Sequence, residues 1–139
     1  MIPLETAKRL KLSGLEWIPA VNDFFAIPDR DLDERTFVIS DIQATVETIL
    51  GRQVIAFQGA SEWALDDLQT SELVWLPRED QLRQALEQAL LARGHVWLSL
   101  ECDQHGCTCT IAHPGVNRSY RAGSASEAYA AALLDVMAD

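Results

Sequence analysis

The sequence is short of positive charge. Its 139 residues carry 11 Lys and Arg against 21 Asp and Glu, a formal net charge of −10. The basic residues are scattered, and no cluster of them interleaves with aromatics. Binding to a phosphate backbone needs Lys and Arg to displace counterions. Nucleic acid is therefore not an expected partner, and neither is an anionic membrane. The acidity itself reads as a device for solubility. Long apolar runs are missing as well: none approaches the roughly 18 residues that a membrane-spanning helix requires. The opening MIPLETAKRLKLSG has Glu5 early and lacks the continuous apolar block of a signal peptide. Cysteine is scarce, with three residues confined to Cys102–Cys109. A secreted disulfide framework would spread them and pair them. These absences together predict a soluble, cytoplasmic protein with no membrane partner. There is no phosphate loop, no Gly-x-Gly-x-x-Gly, no His-Glu-x-x-His and no Gly-x-Ser-x-Gly, and no low-complexity tract or internal repeat. No catalytic residue and no cofactor are expected.

Apolar residues make up 48% of the chain, enough for a real core. At this length the chain is one α+β domain, 1–139, with possible sub-units 1–76 and 77–139. Leu4, Ala7 and Leu10 place a first helix over Pro3–Lys11, with Gly14 at its exit. Asp23–Ile27 and Thr36–Ile39 read as short strands around the charged loop PDRDLDER (Pro28–Arg35). The segment SDIQATVETIL is ambiguous. Ser40 and Gln43 form a capping box ahead of helical spacing, yet β-branched residues crowd it. A hairpin around Gly51, returning as Gln53–Phe57, is the preferred reading. Ser61–Asp66 suggests one helical turn with Trp63 and Leu65 inward. Glu72–Leu76 suggests an extended run.

The last part of the chain is the most regular. A helix over Arg78–Leu91 carries Leu82, Ala85, Leu86, Ala89 and Leu90 as one stripe, with Glu79 and Asp80 in the first turn where the helix dipole favours acids. Val96–Cys102 and Cys107–His113 alternate as strands. With Asp103–Gly106 as the turn, Cys102 faces Cys107 and Leu100 faces Cys109. Pro114-Gly115 supplies a type II turn into Asn117–Ala122. Ser124 and Glu127 then cap a closing helix that buries Ala128, Tyr129, Ala132, Leu133 and Val136. The result is a C-terminal αβββα unit. It is two-layered, with an antiparallel sheet that has both helices on one face and solvent on the other.

Chemistry is concentrated in Cys102-Asp-Gln-His105-Gly-Cys107-Thr-Cys109. Three thiols and an imidazole on one hairpin could form a tetrahedral zinc site from Cys102, His105, Cys107 and Cys109. The competing reading makes all three cysteines small core residues, because they share a face with Leu98, Leu100 and Ile111. A Cys102–Cys107 disulfide is the third option, although directly opposed strand positions hold the Cβ atoms slightly too far apart for it. A thiol nucleophile paired with His105 or His113 lacks an orienting third group. Asp29-x-Asp31-x-Asp33 begins like a calcium loop, but Glu34 stands where glycine is needed and Ser40 where a bidentate Glu belongs. Trp17, Trp63 and Trp75 fit core duty. Trp97 falls on the polar face of its strand, either covered by the N-terminal half or free to anchor a partner.

The segments Ile27–Asp41 (IPDRDLDERTFVISD), Glu62–Leu68 (EWALDDL), Trp75–Leu86 (WLPREDQLRQAL) and Ser126–Leu134 (SEAYAAALL) resemble a group of short, poorly characterised bacterial proteins. Some of these carry a pilus assembly label. The ATPase that holds that name needs a phosphate loop, which is absent here, so the resemblance implies no such activity. The C-terminal third also resembles small phage-type α/β sandwich modules. Its αβββα order is shared with double-stranded RNA-binding domains, whose last helix opens with phosphate-gripping lysines. Here that turn reads Ser124-Ala-Ser-Glu127, which removes the activity. The expectation is a non-enzymatic protein-interaction or self-associating module, with a protein partner or a homodimer contact at Trp97. The alternatives are a zinc-binding or thiol-reactive protein using the Cys102–Cys109 hairpin, and an enzyme with a pocket between the two halves.

Overall fold

Four devices set the frame of the fold: one buried carboxylate, one left-handed turn, one helix with small residues on several sides, and one outer strand. The computed structural model describes residues 1–29, 35–40, 44–57, 68–94, 97–113 and 116–138. These form an α+β fold of three helices and three antiparallel three-stranded sheets. They fall into two compact units, Glu16–Leu76 and a second made of Met1–Leu15 with Pro77–Asp139. Leu76 closes the first unit and Pro77 resumes the second. The N-terminal helix, however, groups with the C-terminal unit, because it packs against the closing helix.

In the unit Glu16–Leu76, β1 (Phe24–Ala26) lies between β2 (Phe37–Val38) and β6 (Val74–Leu76). A second sheet runs β3 (Ala44–Ile49), β4 (Arg52–Phe57) and β5 (Leu68–Gln69). A short 3-10 turn, Thr70–Glu72, leads into β6, so the extended run starts later than Glu72. From Ala44 to Ile49 the ambiguous segment is strand, as the β-branched residues favoured. It turns at Leu50 and Gly51, both with positive φ (53° and 77°), and Ile49 pairs with Arg52. That is the left-handed geometry whose twist matches a two-residue hairpin. The core joins both sheets: Phe25, Ile27, Ile39, Ile55 and Leu73 pack together, with Trp17, Phe37 and Val46 against them. Trp17 stacks on Trp75, ring centroids 6.3 Å apart.

Asp23 sits at the mouth of β1 and is buried. Its Oδ2 accepts the Trp17 indole N–H at 2.9 Å and the Ala20 backbone N–H at 3.1 Å. A buried carboxylate survives only when it is satisfied in this way. The tie fixes Trp17 over Phe25. The expected turn at Ser61–Asp66 with Trp63 and Leu65, the calcium-loop residues Asp31 and Asp33, the Gln43 half of the capping box, Val96 at the start of its expected strand and the Pro114-Gly115 turn lie outside the described residues.

The other unit holds α1 (Leu4–Leu12), α2 (Glu79–Leu91), α3 (Ala125–Ala138) and the sheet β7 (Leu98–Asp103), β8 (Gly106–His113), β9 (Val116–Ala122). The Glu127 N–H donates to Ser124 Oγ at 3.2 Å, and that hydroxyl donates to Glu127 at 3.0 Å, so the cap read from the sequence is present. All five residues expected to be buried on α3 are buried, and Ala130 joins them. Its small residues let α3 pack closely on four elements: α1, α2, β8 and β9. This refines the expectation that both helices lie on the sheet, since α3 is the helix that covers it and α2 packs chiefly against α3. Arg93 fastens the two helix ends by donating to the Ala89 and Val136 carbonyls.

Candidate functional site

β7 and β8 are joined by a two-residue turn, Gln104-His105, because the ladder runs out to Asp103 opposite Gly106. The sequence reading had placed all four of these residues in the turn. Asp103 organises it: Oδ1 accepts the His105 N–H at 2.7 Å and the Gly106 N–H at 3.1 Å. On the solvent face Arg121 of β9 reaches across β8, donating to Thr108 Oγ1 and to Asp103. These donors, led by the His105 N–H and then Arg121, hold the Asp103 carboxyl below its ordinary 3.8. Gly106 is obligatory, since a Cβ there would lie 2.4 Å from the Ala122 carbonyl oxygen.

The expected register holds: Cys102 faces Cys107, and Leu100 faces Cys109. The three sulfurs then divide. Cys102 and Cys107 form a disulfide, their Cα atoms 4.0 Å apart. That approach closes the gap which opposed positions were expected to leave. Cys109 is a free, fully buried thiol, and desolvation pushes it up to about 11.

The reading of all three cysteines as core filler is therefore corrected. Cys109 and Cys107 are buried, but Cys107 is bonded and Cys102 is exposed. The cause is position in the sheet. α3 covers β8 and β9, while β7 is the edge strand on the far side from that cover, and on β7 even Leu98 and Leu100 are only half-buried. Strand alternation assigned the face correctly but carried no information on how far across the sheet the helix extends.

The proposed zinc set does not assemble in this state. A disulfide has no thiolate to give a cation. His105 lies in the exposed turn with its ring beside the Gln104 amide, and Cys109 lies inside. Among the described residues no three His, Cys, Asp or Glu converge as a metal site. The thiol-nucleophile idea loses Cys109 for the same reason, since a buried, protonated thiol is a poor nucleophile.

Trp97 lies on the opposite face of the sheet, just ahead of β7, and its carbonyl accepts the Ala112 N–H. It is 46% exposed.

Two features of this region escaped the sequence reading. Asp103 passed as a turn residue, although an acid two and three residues ahead of a turn's free N–H groups is a recognisable signal. The Arg118–Asp135–Tyr120 cluster that pins β9 to α3 was missed because its members are far apart in the chain. Arg118 donates to Asp135 at 3.0 Å, and the Tyr120 hydroxyl, pushed up to about 12 chiefly by desolvation, donates to the same oxygen. No helix among the described residues is long and apolar enough to cross a membrane. No known family model, curated protein or solved structure matches this chain.

Proposed function

We propose that the chain is a non-enzymatic protein-interaction module that meets its partner at the outer edge of β7, with Trp97 as the anchor. The exposure of Trp97 carries the reading. A large indole left in water beside an otherwise polar sheet face is the kind of side chain that dominates binding energy once covered. The edge supplies the second element. β7 pairs with β8 on one side only among the described residues, and an unpaired strand edge is a template for an added strand. With a net charge of −10, the chain favours a partner segment of basic character. A second copy is the alternative occupant, and its like charge makes that contact stronger in high salt.

The test is light scattering on size-exclusion chromatography over a range of concentrations and salt, run beside a pulldown. Trp97→Ala serves as the control in both. A mass that climbs with concentration, or a captured protein, supports the reading when Trp97→Ala abolishes it. A constant monomer mass with no Trp97-dependent capture counts against it.

A further inference from the structure

We propose that Cys102–Cys107 is a thiol–disulfide exchange site, opened from the Cys102 side by a dithiol and closed again by a disulfide, while the sheet that carries it stays folded. The proposal is independent of Trp97, which lies on the other face and at the other end of β7.

Three observations support it. The first is access. A thiolate attacks one sulfur of a disulfide in line with the bond it breaks, and the rate depends on which sulfur it can reach. Cys102 is exposed and Cys107 is 8% exposed, so the two ends of the bond are unequal. The second is redundancy. The bridge spans five positions between strands already paired from Leu98–Ile111 to Asp103–Gly106, and Cys107 pairs with Ala122 on its other side. The turn is separately held by Asp103 and Arg121. Opening the bond leaves all these contacts in place. The third is isolation. Cys109, two residues from Cys107 on the same face, is buried and stays protonated, so it does not compete for either sulfur. An exposed disulfide is the labile kind, and in a reducing compartment such bonds are chiefly transient and redox-linked.

The thiolate of the incoming dithiol bonds to Cys102 Sγ. The Cys102–Cys107 bond breaks, and Cys107 leaves with the electron pair and takes a proton. The second thiol of the dithiol then attacks the reductant's own sulfur in the mixed disulfide. It releases Cys102 as a thiolate that is protonated, and the reductant becomes an internal disulfide. Two electrons and two protons pass to the chain. The reverse sequence, with a disulfide as oxidant, restores the bond.

The experiment uses the intact chain without denaturant and two probes, dithiothreitol and 2-mercaptoethanol. Dithiothreitol should add the mass of two hydrogens with no loss of the far-ultraviolet circular dichroism signal, and its oxidised form should reverse the change. 2-Mercaptoethanol, quenched in acid and mapped by peptide mass spectrometry, should leave its adduct predominantly on Cys102. A bond that resists dithiothreitol until urea unfolds the chain would overturn the proposal. So would an adduct predominantly on Cys107, or a signal lost on reduction.

Discussion

Asp23 illustrates how much one side chain can decide. Its buried carboxylate serves two donors, the Trp17 indole and the Ala20 amide. Truncation leaves the half-buried Trp17 donor unpaired, which costs about 1–3 kcal/mol, while the exposed Ala20 can give its N–H to water. Asp23→Ala should therefore lower the unfolding free energy by about 1–3 kcal/mol, read as a shift of the urea midpoint at constant slope. Asp23→Asn keeps an acceptor oxygen and should lose less. Equal losses in the two variants would mean that the carboxylate's hydrogen bonds are not the source of the effect. Nothing local in the sequence marks Asp23 as buried, because its partner Trp17 is fixed only by the tertiary fold. Leu50 shows the reverse case. An apolar residue that completes a helical stripe on paper is 97% exposed in a left-handed turn. Gly51 was the legible half of that turn, and Leu50 was not, because non-glycine residues seldom take positive φ.

Among the elements, the β7–β8 hairpin is the most closely specified. Alternation fixed its register from the sequence, since slipping by one residue would move Ile111 and Cys109 to the solvent face. Its pH response follows from Asp103. Hydrogen bonds and Arg121 hold that carboxyl below 3.8, so as pH falls the unfolded chain takes up the proton first. The stabilisation is fully present above the unfolded value and is lost as pH falls through the lower folded one. Nuclear magnetic resonance of the His105 and Gly106 amides should show a titration below the ordinary Asp range, abolished in Asp103→Asn. Amides that titrate at or above that range would contradict the assignment. The shorter elements were less legible. β5 has two residues, too few for any period, and β3 carried helical and strand signals together until pairing with β4 decided between them.

For the whole molecule, the α+β class and the αβββα order were readable because their segments are long and strongly periodic. The reach of α3 across the sheet was not readable. That reach decides which cysteines are inside, and it converts a presumed cluster of three into one filler thiol and one surface bond. The surface bond closes a loop of only a few residues, and the loop-entropy relation gives about 2 kcal/mol for it. That is a minor share of the roughly 5–15 kcal/mol typical of a domain. The ladder holds the hairpin, and the bridge is an addition to it.

The division of the sulfurs is best tested by a thiol census. The oxidised chain is exposed to iodoacetamide in native buffer, again after dithiothreitol in native buffer, and again after dithiothreitol with denaturant, with each state read by peptide mass spectrometry. The account predicts no labelled cysteine in the first state, exposed Cys102 first and the less accessible Cys107 more slowly in the second, and Cys109 added only in the third. Labelling of Cys109 in native buffer, or of Cys102 and Cys107 before any reductant is added, would contradict it.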